Sequence, residues 1–205
     1  MASQVLAYTT KELSNKTWTD FERIFDKPGG WHHCWCMHFQ RARGLPKSQQ
    51  LRTRVERAVR NRREKLELVE KGCSHGILVY AKSEPVGWCQ YGPQEELPRI
   101  DNGRKYRGIA PKSPDRLWRI TCFVVDRKYR QRGVASAALK AALEAIKSKG
   151  GGLVEAYPMT HWESYAFGNE STHGVVSMFE KEGFTVVAPL GTTKFSERVL
   201  VRRTI

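Results

Sequence analysis

The chain has 205 residues, 40% of them hydrophobic, and a formal net charge of +14. That is enough apolar material for a packed core and too much for a disordered chain, and with no Pro/Gly/Ser-rich linker the length points to one domain over 1–205. No apolar run approaches the ~20 residues of a membrane helix, the start MASQVLAYTTKEL lacks the basic end and apolar core of a signal peptide, and five cysteines, an odd number, fit a cytoplasmic chain rather than a disulfide framework.

In chain order, VLAYT at 5–9 reads as a first strand. Thr9 and Glu12 have capping-box spacing, which predicts that a helix begins there. Trp18, Phe21, Ile24 and Phe25 recur at helical spacing and supply its buried stripe, and Lys-Pro-Gly-Gly at 27–30 ends it. The next stretch, WHHCWCMHF, crowds His32, His33, Cys34, Cys36 and His38 among Trp31, Trp35, Met37 and Phe39. A second helix is predicted over 46–71, with Leu51, Val55, Val59, Leu66 and Val69 on or near one face and Gly72 as its stop. Between Arg41 and Lys65 ten basic residues face only Glu56 and Glu64. Such a patch attracts polyanions, acidic substrates or phosphates; a solvated helix face with Glu partners is the alternative.

HGILVYAK and PVGWCQYG read as a hairpin with Pro85 beside its turn. Residues 93–114 are polar, with prolines and glycines, and read as a long loop of the kind that is often functional. RLWRITCFVV at 116–125 is a strong strand. It runs into DRKYRQRGVASAALKAALEAIKSKGGG, a helix with Ala135, Leu139, Ala142 and Ile146 along one side and Gly150 to Gly152 closing it. LVEAYPM is a strand, and a polar loop with His161, Trp162, Tyr165 and His173 follows. GVVSMFEKEGF is a short helix, and FTVVAP and RVLVRRTI are a final strand pair. The order predicts an α/β or α+β domain with helices on both faces of a mixed sheet.

Arg130, Gly133 and Ala135 fit the pattern R/Q-x-x-G-x-G/A between a strand and a helix. A turn of small residues lets backbone N–H groups approach a pyrophosphate, the helix N-terminus adds partial positive charge, and Arg130 and Arg132 add cations. The run VVDRKYRQRGVASAAL, with Tyr129 ahead of the motif, resembles the acyl-CoA-binding signature of the GNAT acetyltransferase superfamily. SMFEKEGF and the strand FTVVA are similar to that superfamily's later helix and strand, and the match covers most of 75–205. GWHHCWCM, PVGWCQYGP, WRITCFVVDRKYRQRGVA and LVEAYPM together look like a subgroup carrying CWC, GWC, TCF and EGYP-type motifs. The resemblance implies a GNAT-like central sheet, mixed and mostly antiparallel, and an acetyl-CoA-dependent N-acetyltransferase acting on a primary amine of a small molecule or peptide. It implies that Phe123, Val124 and Val125 pair with the pantetheine arm and help polarise the thioester carbonyl. Gln131, Arg132, Gly133, Val134, Ala135 and Ser136, with Arg130, would hold the pyrophosphate.

An acceptor amine must lose a proton before attack. Glu155, an acid in an apolar strand, is the expected base, with a structural salt bridge as the alternative; His161 and His173 are further candidates. Where the superfamily carries a tyrosine that protonates the leaving thiolate, this chain has Phe179. Tyr157, Tyr165 or solvent is then expected to substitute, or else the domain binds CoA without efficient catalysis. In the resembling fold the WHHCWCMHF segment lies over the acceptor site, so Trp31, Cys34, Trp35, Cys36, Cys89 and His161 are expected to line it. Two other readings of that segment stay open. One is a metal site of His32, Cys34, Cys36 and His38 with Cys89 and Cys122 nearby, although Cys-x-Cys without a second pair is a poor zinc signature and no metal is expected. The other is a redox or acyl-accepting cysteine. The competing function is a CoA sensor or a module that docks RNA through the second helix. That helix has no aromatics for stacking single strands, so nucleic acid is not favoured. The C-terminal strands could pair across a homodimer, though nothing in RVLVRRTI demands it.

Overall fold

The alternation of HGILVYA and EPVGWCQYGP sends successive side chains to opposite faces of a strand, and the two segments form the expected hairpin. The computed structural model describes residues 7–26, 33–43, 51, 53–112, 115–160, 173–192 and 197–205. Its strands are β1 (Tyr8–Glu12), β2 (His75–Ala81), β3 (Glu84–Pro93), β4 (Leu117–Val125), β5 (Leu153–Ala156), β6 (Thr185–Thr192) and β7 (Glu197–Thr204). They make one sheet in the order β1-β2-β3-β4-β5-β7-β6, antiparallel throughout except for β4 beside β5. The helices are α1 (Trp18–Phe25), α2 (Arg54–Glu70), the single turn α3 (Arg104–Arg107), α4 (Val134–Ser148) and α5 (Val176–Glu180). No helix among the described residues is long and apolar enough to cross a membrane.

Each face of the sheet has its own core. On one face Val134, Ala138, Leu139, Ala142 and Ile146 of α4 pack with Val79, Cys89, Ile120 and Phe123. On the other, Trp18, Phe21, Ile24 and Phe25 of α1 pack with Trp35, Met37, Val69, Leu78, Trp88 and Val124. A mixed, mostly antiparallel sheet with helices on both faces is the architecture expected from the sequence.

Three local expectations are corrected. Residues Tyr8 to Glu12 do not start a helix. They pair with Ala81 to Ile77 of β2, which satisfies their backbone groups, and a 3-10 turn at Asn15–Thr17 leads into α1 instead. The second helix starts at Arg54, because the capping box lies at Thr53 and Glu56: each accepts the other's backbone N–H, at 3.1 and 3.0 Å. Val55 and Val59 are 72% and 66% exposed, and the buried stripe of α2 is Asn61, Lys65 and Val69. Finally, 93–114 is not a plain loop: it contains 3-10 turns at Gln94–Glu96 and Pro98–Asn102 as well as α3.

One irregularity positions the site. The parallel ladder runs from Leu117 beside Leu153 to Ile120 beside Ala156 and stops, while β4 continues to Val125 against β3. Among the described residues the β5-facing edge of β4 therefore has no strand partner beyond Ile120. At the point of parting Thr121 is an extra residue: Gln90 pairs with Cys122 and Tyr91 with Ile120, a bulge that re-aims the strand.

Candidate functional site

Two cavities border this edge: Phe123 and Gly174 line one, and their chain neighbours Cys122 and His173 line the other. The first, about 470 Å³, lies between the start of α4 and the start of α5. Asp126 donates its N–H to the Val86 carbonyl at 2.9 Å. By the alternation of an antiparallel ladder, Val124 and Cys122 then occupy bonded positions, and the backbone groups of Phe123 and Val125 turn toward the open edge. Arg130 Nε donates to the Val125 carbonyl there at 3.5 Å. Gly133, at φ 86°, is the N-cap of α4, and no side chain caps the helix. The first intrahelical bond runs from Ala137 N–H to Gly133 carbonyl at 2.9 Å. The N–H groups of Val134, Ala135 and Ser136 are thus left without a helical partner at the positive end of the dipole, an arrangement suited to an anion. A Cβ on Gly133 would meet no atom within 4 Å, so the space before the turn is open.

Phe123, Val125, Arg130, Gln131 and Gly133 to Ser136 line this cavity together with Tyr129, Gly174, Val175, Ser177, Met178 and Lys181. Val124 and Arg132 do not. The Val124 side chain enters the opposite core, and Arg132 is exposed, with its carbonyl accepting from Tyr8 Oη at 3.0 Å. Phe179 is fully buried, edge-on to Phe123 and Phe184.

The second cavity, about 440 Å³, lies on the α1–α2 face. The segment 33–43 forms one wall with Cys34, Cys36, His38 and Arg41; α2 contributes Arg57 and Asn61; the sheet contributes Gln90, Cys122 and Arg198; and His173 closes it. Asn61 ties the wall to α2 by donating to the carbonyls of His33 and Cys34 at 2.6 and 3.2 Å. Gln90 donates to the Cys36 carbonyl at 3.0 Å and accepts from Thr121 Oγ1 at 3.0 Å.

Behind this wall Lys65 is completely buried, donating to Gln40 Oε1 at 2.6 Å near the rings of Phe21 and Trp88. Burial pulls its pKa down to about 8 against the opposing pull of Cys36 and Cys122. The Cys36 and Cys122 Sγ atoms are 3.2 Å apart, and Trp88 Nε1 donates to Cys36 Sγ at 3.3 Å. Burial alone would raise the Cys36 thiol, but Cys122, Lys65 and Trp88 outweigh it and the net shift is down. Burial and the neighbouring Cys36 push Cys34 up to about 11.

His173 lines the second cavity, and its chain neighbour Gly174 lines the first. The Thr121 carbonyl, free of the β5 ladder at the bulge, lies 3.0 Å from His173 Nδ1. A carbonyl only accepts, so Nδ1 carries the proton and Nε2 is left as the ring's acceptor. Burial and the Arg198 guanidinium pull His173 down to about 4. His38 is shifted the same way by burial and by Arg99, Arg198 and Arg41. Both imidazoles are therefore neutral near pH 7.

Several expected site residues fall elsewhere. Glu155 is fully buried and lines neither cavity. Its Oε1 accepts from Arg202 Nε at 2.8 Å, and its Oε2 from Tyr106 and Tyr157 hydroxyls at 2.6 and 3.0 Å. That is the structural salt bridge rather than a free base, and it commits the Tyr157 proton too. Trp35 is core, stacked on Phe25 and Trp18. Cys89 points into the α4-side core, because its neighbour Gln90 takes the cavity face. Trp31, His32, His161 and Tyr165 lie outside the described residues. Among the described residues no cluster of three or more His, Cys, Asp and Glu could hold a metal ion. Gln90, Asn61 and Arg198 are not among the residues expected at a site, and Arg57 is expected only as part of the basic patch. Gln90 and Asn61 could have been found as polar residues at apolar-face positions of a strand and a helix; Arg198 carries no such local signal.

A family model, the acetyltransferase (GNAT) family, matches residues 12–163. The chain belongs to that family. No curated protein matches the sequence. Among solved structures, mosquito arylalkylamine N-acetyltransferase like 5b superposes with a TM-score of 0.56 at 12% identity, covering 97% of this chain and all of that one. Ribosomal-protein-alanine N-acetyltransferase from Brucella melitensis gives 0.55 at 10%, over 96% and 99%. The Salmonella typhimurium protein yncA, solved with its cofactor acetyl-CoA, gives 0.52 at 11%, over 97% and 94%. At these identities the likeness to the three speaks for a GNAT fold.

Proposed function

We propose that this GNAT-family protein is an acetyl-CoA-dependent N-acetyltransferase acting on a primary amine in the cytoplasm. The observation that carries the reading is the pairing of the cavities across one strand edge. Cys122 and His173 line one cavity, while their immediate neighbours Phe123 and Gly174 line the other. A donor in the first cavity and an acceptor in the second would meet at the open edge of β4. The acetyl-CoA of the Salmonella protein, and the N-acetyltransferase activities named for the mosquito and Brucella proteins, support the donor and the reaction class. Five free cysteines fit a reducing compartment.

The residues present suit this donor. The first-turn N–H groups of α4, with Arg130 and Lys181 nearby, would hold the pyrophosphate. Phe123 and Val125 would offer backbone groups to the pantetheine arm and to the oxygen on which charge develops. When bound, acetyl-CoA supplies an activated acetyl group: the amine's N–C bond forms as the thioester C–S bond breaks, and CoA leaves. His173 Nε2 accepts the proton the amine gives up, directly or through one water. The field that lowers the pKa of His173 and His38 acts equally on a bound ammonium and favours its neutral, nucleophilic form. A leaving thiol with an ordinary pKa of ~8.5 needs little acid help at neutral pH, which accommodates Phe179. WHHCWCM, GWCQ and ITCF meet at the acceptor cavity through Cys34 and Cys36, Gln90 and Cys122, and we read the CWC, GWC and TCF motifs as its wall.

The test is release of free CoA thiol from acetyl-CoA on addition of primary amines. Amine-dependent release is expected, and it should fall in His173→Gln. Tight acetyl-CoA binding with no amine-dependent release would favour the second reading, a CoA sensor, which the buried Phe179 in place of a hydroxyl supports.

A further inference from the structure

The charge of the acceptor cavity constrains what can enter it. Among the described residues its lining holds Arg41, Arg57 and Arg198 and no Asp or Glu. Arg41 pairs with Glu64, a carboxylate it shares with Arg60. Arg57 donates to the Leu51 carbonyl at 3.2 Å and makes no ion pair among the described residues. Arg198, in β7, is the more telling case. It is partly buried, its Nε is enclosed without a hydrogen-bond partner, and no carboxylate pairs with it among the described residues. A guanidinium in a cavity wall with no carboxylate partner among the described residues costs stability and is suited to receive an anion. Arg198 also lines an adjoining cavity that carries Arg99, Arg104 and Lys105 and, among the described residues, again no acid. The cationic field therefore extends past Arg198 rather than ending at it. A simple amine or a polyamine, entering as a cation, would be repelled from both spaces.

We propose that the acceptor is an amino acid-like or amino phosphate-like compound, a primary amine that carries its own acidic group, and that Arg198 is the residue that receives that group. The planar guanidinium suits a carboxylate or a phosphate, each of which can accept two of its N–H bonds. The acid would be held on the β7 side of the cavity. The amine is then directed toward His173 and the open edge of β4, the end of the cavity where transfer would occur. This rests on the N-acetyltransferase reading above and adds the class of acceptor.

The experiment uses matched amines at constant ionic strength: beta-alanine against its amide, and phosphoethanolamine against ethanolamine. Binding is measured by calorimetry on the CoA-loaded protein, and turnover by thiol release from acetyl-CoA. The acidic member of at least one pair is expected to bind about tenfold or more tighter than its neutral mate, a difference of ~1.4 kcal/mol, and to show the higher kcat/KM. The preferred pair tells carboxylate from phosphate. Arg198→Gln is expected to abolish the preference through KM, leaving acetyl-CoA affinity unchanged and the melting temperature unchanged or higher. Arg198→Lys should keep part of the preference, and it carries the test if the Gln variant does not fold. The proposal is overturned if neutral amines bind as well as acidic ones, if neither kind binds, or if Arg198→Gln leaves the preference intact. Acetyl-CoA titrated alone separates the two claims. If it binds and the acidic preference is missing, only the acceptor class fails; if it does not bind, the acetyltransferase reading fails as well.

Discussion

His173 and Lys65 are both held against their ordinary ionisation, and each leaves a signature in pH. His173 has a folded pKa of about 4, against an ordinary 6.5, because burial and Arg198 disfavour the imidazolium. Below pH 6.5 the unfolded chain binds a proton that the folded chain refuses, so stability falls as pH drops from 6.5 toward 4 and is untouched above that window. The gap corresponds to ~3 kcal/mol by pH 4. His173→Gln is expected to flatten this acid limb in denaturant titrations run at pH 4.5 to 6.5, while His38, shifted in the same direction, keeps the remainder. The same variant should lose roughly 100-fold or more in kcat with acetyl-CoA affinity unchanged, since His173 does not line the cavity proposed for the donor. An unaltered kcat would remove it as the proton acceptor. Lys65 has its pKa lowered to about 8 from 10.5 by burial. The difference in stability between the parent and Lys65→Met should therefore rise in the parent's favour from pH 8 to 10.5, where the unfolded chain still carries the proton. At pH 7 the Met variant should melt higher. A lower melting temperature would mean that the hydrogen bond of the ammonium to Gln40 and its attraction to Cys36 outweigh its burial.

At the scale of elements, the start of α4 and the alternation of the strands decide the site. Gly133 is left-handed, a conformation that costs an L-residue ~1–2 kcal/mol. Gly133→Ala is expected to lower stability by about that amount. Gly133→Glu would in addition put an anion at the pyrophosphate turn and lose most acetyl-CoA affinity; calorimetry showing unchanged affinity would move the donor site elsewhere. In α5, Phe179→Tyr would bury a hydroxyl among Phe123 and Phe184, with an expected loss of ~1–3 kcal/mol and no gain in rate. The hairpin, β4, α4 and the open turn before it were legible because strand and helix periods and a glycine-punctuated turn are local signals. The period of two also held information that a list of interesting residues passes over. In GWCQ it sends Gln90 to the second cavity and Cys89 to the α4-side core, and in ITCFVV it sends Cys122 to the second cavity and Phe123 to the first. The stripe of α2 escapes a hydrophobic pattern because it is built from Asn61 and Lys65, polar residues that such a pattern discounts. Glu155 looked catalytic because an acid in an apolar strand needs a partner. The partners are Arg202, 47 positions away, and Tyr106, 49 away, which no local pattern reveals. Strand pairing likewise overrode the Thr9–Glu12 spacing, since β2 is distant in sequence.

Across the whole molecule, a charge of +14 does not act as one basic surface. On α2, Arg60 pairs with Glu64, Arg62 with Glu22 and Arg63 with Glu67, so the helix that looked like a polyanion site is largely a solvated, paired face. Any RNA affinity is expected to be nonspecific and to fall steeply with salt, while acetyl-CoA binding, proposed to rest on backbone N–H groups in a cavity, should persist. The two-cavity arrangement makes its most direct claim through the donor. The first measurement is the melting temperature with and without acetyl-CoA. A ligand at ~100 times its dissociation constant adds ~2.7 kcal/mol, which for a chain of this size is a rise of roughly 5–10 °C. That rise, together with its loss in Gly133→Glu, is the expected result; no shift at millimolar acetyl-CoA would contradict the donor site at the open edge of β4.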